Sequence, residues 1–267
     1  MAKIIFITGA SSGIGKAVGL YLQEKGYTIY GTSRNPEKYN SKFPLFTLDV
    51  RDVESIQKAI AQVIHKEGKI DVLINNAGVG ITGALEELST QEIKNNFETN
   101  FFGPIEVMKT ILPYMRQSGG GQIINITSIA GYMGLPFRSV YSASKGALEL
   151  ITEALRMEVA GFNIKISNVA PGDFATDIAS RRFHAPLNQN SPYFKVYKQQ
   201  VETINSHVDS GSNPLEMARA IEKIITSKNP KIHYKIGAFM QKFSIVLKRV
   251  LPDLWYEKML KNHYKID

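Results

Sequence analysis

Cysteine is absent from the 267 residues, which excludes disulfide bonds, thiolate metal ligands and a cysteine nucleophile. No stretch of about twenty apolar residues occurs, and the apolar run at residues 4–7 is too short for the core of a signal peptide. Low-complexity tracts and long runs of like charge are also missing. These absences predict a soluble, cytoplasmic protein with a packed core and no metal site.

The chain has the composition of an ordinary globular protein, with 43% hydrophobic and 21% charged residues. Its length suits one large α/β domain or two small ones. The net charge is +8, and residues 231–267 contain eight Lys or Arg against three Asp or Glu. Because no nucleic-acid motif accompanies this charge, we expect no nucleic-acid partner.

Short apolar runs alternate with longer segments of helical periodicity, which is the pattern of a parallel sheet built from βαβ units. Buried strands are predicted at residues 3–8, 27–32, 45–48, 71–75, 122–127, 164–169 and 232–236. Helices are predicted at residues 14–26, 56–68, 91–116, 141–160 and 214–227. The pattern predicts a Rossmann-type, doubly wound α/β fold whose seven-stranded parallel sheet carries helices on both faces. We expect one domain over residues 1–236, with a substrate loop at about 173–212, and a helical extension over 237–267.

A glycine-rich loop with the sequence TGASSGIG, residues 8–15, follows the first strand directly and opens a helix. Glycines let the backbone turn sharply and approach a pyrophosphate closely, while the helix N-terminus offers N–H groups and the positive end of its dipole. A plain strand-to-helix turn is the alternative, but the position in the first βα unit favours dinucleotide binding.

The glycine spacing Gly-x-x-x-Gly-x-Gly resembles that of the short-chain dehydrogenase/reductase family. Further motifs extend the resemblance from about residue 3 to 225, and beyond Gly237 the chain is loosely similar to members that handle lipids, retinoids or steroids. The resemblance implies a nicotinamide cofactor. It places Asp49 at the adenine of that cofactor, although Asp49 could instead cap the next helix. The implied cofactor contacts are Gly9, Ser11, Ser12, Gly13, Ile14 and Gly15 in the loop, Asp49 and Val50 at adenine, Asn76, Ala77 and Gly78 at the ribose, and Pro171, Gly172 and Thr176 at nicotinamide.

The end of the second strand distinguishes NAD from NADP in such folds, because an acid there binds the ribose 2′-hydroxyl and a cation accommodates a 2′-phosphate. Here the strand ends in Ser33 and Arg34, and no carboxylate follows until Glu37. Arg34 could simply be an exposed loop residue, but its guanidinium offers several donors to a phosphate. The sequence therefore predicts NADP(H), held in part by Ser33 and Arg34.

The sequence YSASK at residues 141–145 places Tyr141 and Lys145 on one face of a helix. Tyr21 and Lys25 have the same spacing, so spacing alone is uninformative, and we expect that pair to lie on the surface. Tyr141 differs because it follows the fifth strand, at whose end Ser128 lies. This context also matches the family.

The family resemblance assigns a role to each catalytic candidate. It implies that Tyr141 is the acid/base, that Ser128 holds the substrate oxygen, and that Lys145 also binds the nicotinamide ribose. It further implies that Asn100 positions a water in a proton relay, while Asn95 and Asn96 are expected on the helix surface. No His/Asp partner set accompanies the serine, which argues against a serine hydrolase.

Hydride transfer to a carbonyl leaves an alkoxide that needs a proton, and the reverse reaction needs a base. Free tyrosine, with a pKa near 10, is a poor base at neutral pH, and a shift of about three units requires roughly 4 kcal/mol. Lys145 and the oxidised nicotinamide ring can supply this stabilisation electrostatically. The sequence predicts an oxidoreductase interconverting an alcohol and a ketone or aldehyde; the alternative is a sensor that binds NADP(H) without turnover.

Two segments are expected to frame a hydrophobic substrate, unless they only pack a lid. They are residues 132–137 and the stretch after Gly172 with Phe174, Ile178, Phe183, Tyr193, Phe194 and Tyr197. Arg181, Arg182 and His184 leave room for an acidic head group. The family also implies a homodimer or homotetramer formed through helices 101–116 and 141–160.

The last thirty residues predict two helices that cover the substrate entrance, separated by Pro252. One apolar stripe is predicted from Phe239, Phe243, Val246, Leu247, Val250 and Leu251, and a second from Leu254, Trp255, Met259 and Leu260. Both helices could pack on the domain with a solvated cationic face. Alternatively, they could make a peripheral contact with a membrane.

Overall fold

The computed structural model describes residues 2–174, 182–209 and 211–266. Seven parallel strands form one sheet in the order β3-β2-β1-β4-β6-β7-β9, which confirms the predicted doubly wound architecture. Their bounds are β1 Ile4–Ile7, β2 Thr28–Ser33, β3 Leu45–Thr47, β4 Val72–Asn75, β6 Gly121–Ile126, β7 Ile164–Pro171 and β9 His233–Ile236. Two short strands, β5 (Ile81–Thr82) and β8 (Phe183–His184), pair in parallel outside this sheet.

Helices cover both faces of the sheet. Their bounds are α1 Gly13–Glu24, α2 Val53–Glu67, α3 Thr90–Phe97, α4 Gly103–Gln117, α5 Ser139–Glu158, α6 Phe194–Asp209, α7 Pro214–Thr226, α8 Phe239–Val250 and α9 Asp253–Tyr264. A π-helical turn, Glu98–Phe102, joins α3 to α4. The helices predicted at 91–116, 141–160 and 214–227 thus appear close to their expected bounds.

The alternation of side chains along each strand divides the core into two layers. In β1, Ile4 and Phe6 pack with α2 and α4, whereas Ile5 and Ile7 pack with α1 and α7. Because both faces are buried, the strands are continuous apolar runs, which made them visible in the sequence. The sheet therefore holds its C-terminal strand ends, where the loops of interest begin, on a rigid base.

Helix α6 lies inside the segment expected to be a substrate loop. Tyr197 is buried, and its hydroxyl donates to the carbonyl of Thr82 at 3.0 Å. Val201 and Ile204 continue the same face at helical spacing. The sequence analysis assigned Tyr193, Phe194 and Tyr197 to the wall of a substrate pocket and did not use the helical spacing of this segment.

Helix α8 has two apolar faces where the sequence predicted a single stripe. Leu247 and Leu251 pack inward beside the buried Ile245. The opposite face is exposed: Phe239 is 71% exposed, Phe243 38%, Val246 48% and Val250 74%. Among the described residues, no helix is both long and apolar enough to cross a membrane.

Candidate active site

The glycine loop between β1 and α1 has the backbone that phosphate binding requires. Gly9 and Gly13 have φ angles of +66° and +55°, a region in which residues other than glycine are strained. Gly15 lies so close to the loop that a Cβ there would be 2.6 Å from the carbonyl oxygen of Gly9. The side chain of Ser12, the N-cap, makes no capping hydrogen bond, and the first turn holds no acid. The N-terminal N–H groups of α1 are therefore available to a phosphate.

Hydrogen bonds join this loop to the segment after β4. The hydroxyl of Thr8 accepts from the backbone N–H groups of Asn76 and Ala77, both at 3.0 Å. The Asn76 amide donates to the carbonyls of Thr8 and Gly9 at 2.9 and 3.0 Å. Two neighbouring strand ends thus form one fixed edge beside the cleft.

A cleft of about 480 Å³ runs along the C-terminal ends of the strands. It brings together most of the residues proposed to hold a cofactor: Gly9, Ser11, Ser12, Gly13, Ile14, Ser33, Arg34, Asp49, Val50, Asn76, Ala77, Gly78, Tyr141, Lys145 and Pro171. Gly15 packs behind the loop, and Gly172 lines a neighbouring cavity. Thr176, Ile178 and Arg181 lie outside the described residues.

Asp49 and Arg51 form an ion pair at 2.7 Å in this cleft. The Arg51 guanidinium lowers the pKa of Asp49 below its usual value. Helix α2 is capped by Asp52, whose side chain accepts from the N–H groups of Glu54 and Ser55. The alternative that Asp49 is a helix cap is therefore wrong. The sequence analysis missed Arg51, since an arginine in a loop carries no sequence signal of its own.

Asn100 lies in the π-helical turn, where such irregular turns often mark functional positions. It is fully buried, donates to the Val79 carbonyl at 2.8 Å and accepts from the Val79 N–H at 2.9 Å. Asn96, expected on the surface, is only 2% exposed, and it accepts from Ser144 at 3.0 Å and Asn100 at 3.2 Å. That expectation is wrong. The spacing of four residues from Asn100 could have placed both on one face.

Lys145 is buried beside Asn100. It is 4% exposed, and its Nζ donates to the carbonyl of Ile126 at 2.9 Å. A Cβ built on Gly78 would be 3.3 Å from this Nζ and 3.2 Å from Asn100 Oδ1, so both groups flank the same glycine. Burial lowers the pKa of Lys145 to about 8, and the carboxylate of Glu149 opposes this shift.

Glu149 is a buried carboxylate one helical turn after Lys145. It accepts hydrogen bonds from the hydroxyl of Thr127, from Tyr132 at 2.9 Å and from His233 at 2.9 Å. Burial raises the pKa of Tyr132, and the negative charge of Glu149 raises it further. The sequence analysis missed this network, because Lys145 and Glu149 look like an ordinary surface pair at i, i+4.

Tyr141 lies where the cleft meets a second cavity of about 560 Å³, which Ser128 also lines. The Ser128 hydroxyl accepts from the backbone N–H of Ala130 at 3.1 Å, which fixes its position after β6. Tyr21, in contrast, donates to Glu222 at 2.7 Å and lines neither space. The structure therefore separates two tyrosines that share the same spacing to a lysine.

The walls of this second cavity differ partly from the expected ones. Met133, Leu135 and Phe174 line it, but Tyr193, Phe194 and Tyr197 do not, and Phe183 lines the cofactor cleft. Helices α8 and α9 close it with Met240, Gln241, Ser244, Leu247, Met259, Leu260, His263 and Tyr264. The two predicted helices after residue 237 thus form one wall of this cavity.

Comparisons with known proteins identify the family. The profile described as short chain dehydrogenase matches residues 3–186. The chain belongs to the short-chain dehydrogenase family. It is 42% identical over 265 residues to a 3-ketodihydrosphingosine reductase of Bacteroides thetaiotaomicron, covering 99% of this chain and 98% of the relative. It is also 32% identical to human retinol dehydrogenase 8 over 253 residues, covering 86% and 80% of the two chains.

The comparison with solved structures also finds a short-chain dehydrogenase. A short-chain dehydrogenase from Streptomyces avermitilis superposes with a TM-score of 0.82 at 31% identity, covering 99% of this chain and 96% of the other. The protein ElxO, solved with NADP bound, has a TM-score of 0.73 at 29% identity, covering 88% and 97%. Membership of the short-chain dehydrogenase family makes this chain an oxidoreductase that uses a nicotinamide cofactor and a small-molecule substrate.

Proposed function

We propose that the protein is an NADP(H)-dependent oxidoreductase that interconverts a hydrophobic alcohol and its ketone or aldehyde, with Tyr141 as acid/base. The position of Tyr141 at the junction of two spaces carries this proposal. One space contains the phosphate loop, and the other is an apolar cavity beside Ser128. The alternative, a sensor without turnover, is disfavoured because Asn100, Ser128, Tyr141 and Lys145 are all present.

The residues of the cleft fit a dinucleotide phosphate. The uncapped N-terminus of α1 would hold the pyrophosphate. Arg34 lines the adenosine end and makes no ion pair within the described residues, whereas the nearby carboxylate of Asp49 is already paired with Arg51. An available cation and a neutralised acid favour a 2′-phosphate over a free 2′-hydroxyl. When bound, the cofactor would supply or accept the hydride.

The side chains around the substrate oxygen would act on its proton. The Ser128 hydroxyl donates a hydrogen bond to this oxygen, and Tyr141 gives it a proton in reduction or removes one in oxidation. The ammonium of Lys145, on the next turn of α5, favours the tyrosinate through its positive charge. Asn100 keeps the backbone at Val79 fixed beside that ammonium.

The second cavity supports an extended apolar substrate. Its walls come from the loop after β6 and from α8 and α9, and they are mainly aliphatic and aromatic, with Met133, Leu135, Leu247 and Leu260 among them. The relative in Bacteroides thetaiotaomicron is named a 3-ketodihydrosphingosine reductase. We therefore propose a lipid-like carbonyl compound or alcohol as the substrate class.

We also propose that the protein is cytoplasmic and that α8 and α9 contact a membrane surface. The exposed stripe of α8 continues into α9 with Leu254 at 77% and Trp255 at 70% exposure. Arg249 in α8 and Lys258 in α9 are exposed as well. Apolar side chains at the interface and cations on anionic head groups are the two contributions that bind such helices to membranes.

A homodimer or homotetramer formed through α4 and α5 remains our proposal for the assembly. Large apolar side chains on α5 are exposed, with Leu150 at 68% and Met157 at 74%. Phe102, which precedes α4 directly, is 48% exposed. A symmetric contact through these residues would bury them.

Assay of NADPH oxidation against a panel of long-chain ketones and aldehydes tests the reaction. Tyr141→Phe should abolish turnover and leave NADPH binding, measured by fluorescence titration, nearly unchanged, because it removes only the transferable proton. Tyr21→Phe is the matched control: it loses the hydrogen bond to Glu222 and should keep its activity. Substantial turnover by Tyr141→Phe would show that the acid/base assignment is wrong.

A further inference from the structure

Arg182 lines the second cavity, where β8 and Gly80 fix its position. It directly precedes β8, where the N–H of Phe183 donates to the carbonyl of Gly80 at 3.0 Å. Its side-chain stem lies against the same glycine, since a Cβ on Gly80 would be 2.9 Å from both Cγ and Nε of Arg182. A side chain larger than hydrogen at Gly80 would displace the arginine, so its position is a built feature of the β5–β8 pair.

One nitrogen of the Arg182 guanidinium has no hydrogen-bond partner within the described residues. Its Nη1 is buried and has no hydrogen-bond acceptor, and none of the ion pairs within the described residues includes Arg182. A buried donor without a partner is destabilising, and a charged one more so. In a native structure such a group indicates an acceptor that the described residues do not supply.

The charged groups near Arg182 do not supply the missing acceptor. Burial lowers the pKa of Arg182, the positive charge of Arg138 lowers it further, and Tyr141 and Asp173 act in the opposite direction. Arg138 lines the same cavity, so two arginines border one mainly apolar space. Asp173 also lines it, but its Oδ2 already accepts from the side-chain amide of Gln241 at 2.7 Å.

We propose that Arg182, with Arg138, forms an anion-binding subsite at the catalytic end of the cavity, where it holds a carboxylate or similar planar oxyanion carried by an otherwise apolar carbonyl substrate. This inference rests on the proposed function, because it names the head group that the cavity selects. A guanidinium presents parallel N–H donors that match a carboxylate.

Two ketones of equal chain length test the subsite: a keto acid and its methyl ester. The wild-type protein should have a higher kcat/KM for the acid than for the ester. Arg182→Met should lower the acid-to-ester ratio about 10- to 100-fold, the range expected for a charge-assisted hydrogen bond. The ratio is used because the charge of Arg182 also acts on Tyr141 and can change turnover of every substrate. Lys198→Met, which removes an exposed cation from α6, should leave the ratio unchanged.

A saturated fatty acid, which cannot react, gives a readout independent of turnover. It should raise the melting temperature of the wild-type protein with NADPH, and raise it much less for Arg182→Met. If that variant does not fold, Arg182→Lys and Arg138→Met are measured instead, and each should lower the acid-to-ester ratio. An unchanged ratio and an unchanged fatty-acid shift would overturn the subsite while leaving the reductase assignment intact. Conversely, an Arg182-dependent shift without reduction of any ketone would support the subsite and count against the proposed function.

Discussion

Replacing Lys145 with Met should stabilise the cofactor-free protein at neutral pH, and this gain should shrink as the pH rises. Lys145 is 4% exposed, and burial lowers its pKa from 10.5 to about 8. Between these two values the unfolded chain binds more protons than the folded one, so stability rises with pH. Below pH 8 both states carry the charge, and the folded state bears the full cost of burying it.

The size of the effect follows from the pKa difference. A shift from 10.5 to about 8 corresponds to about 3 kcal/mol of unfolding free energy lost at pH 7, and about 1 kcal/mol of that loss remains at pH 9.5. Methionine removes this pH-dependent cost. It also removes the donor to the Ile126 carbonyl, at a cost of about 1–3 kcal/mol. The net gain at pH 7 is therefore small, but it should fall by about 2 kcal/mol between pH 7 and 9.5.

Urea unfolding of both proteins without cofactor, at pH 7 and pH 9.5, measures this change. Lys25→Met is the control, since Lys25 is exposed at the end of α1, and its difference from wild type should not depend on pH. The Lys145 variant should also lack turnover. A stability difference that stays constant from pH 7 to 9.5 would refute the argument that Lys145 is a buried charge in the folded protein.

Two further variants test the preference for NADPH and the contact with a membrane. Arg34→Ala should raise the KM for NADPH at least about tenfold, the effect of one lost charge-assisted contact, and change the KM for NADH little; equal changes would show that Arg34 does not bind the 2′-phosphate. Full-length protein should co-sediment with anionic vesicles at low salt, and Phe239→Ser combined with Phe243→Ser should release it. Absence of the wild-type protein from the vesicle pellet would exclude the membrane contact.

The strands and the residues at their ends could be predicted from the sequence, because their signals are local. A strand such as β1, buried on both faces, is a continuous apolar run, and the glycine loop follows it without a gap. Tyr141 and Lys145 share a helix face by spacing alone. The loop after β6 then places Ser128 at the same cavity as Tyr141. Chemistry at strand ends is therefore visible before any tertiary contact is known.

Burial on helices was harder to predict, because it depends on what packs against each face. Asn96 and Glu149 are polar residues that the fold buries and surrounds with partners. Helix α8 shows the reverse case, since its apolar residues divide between the domain and an exposed face. Periodicity locates an amphipathic helix, but it cannot tell which apolar face is covered.

The sequence analysis linked Arg182 to an acidic head group, but the contacts that hold this side chain could not be predicted from the sequence. Arg182 is fixed by the pairing of β5 with β8, two strands of two residues each, which is too short a pattern to recognise in a sequence. The opposite wall of the cavity comes from α8 and α9, at least 57 residues further along the chain. Residues so far apart carry no shared spacing. The reaction class is consequently predicted from local motifs, whereas the proposed head-group subsite depends on side chains that meet only in the folded protein.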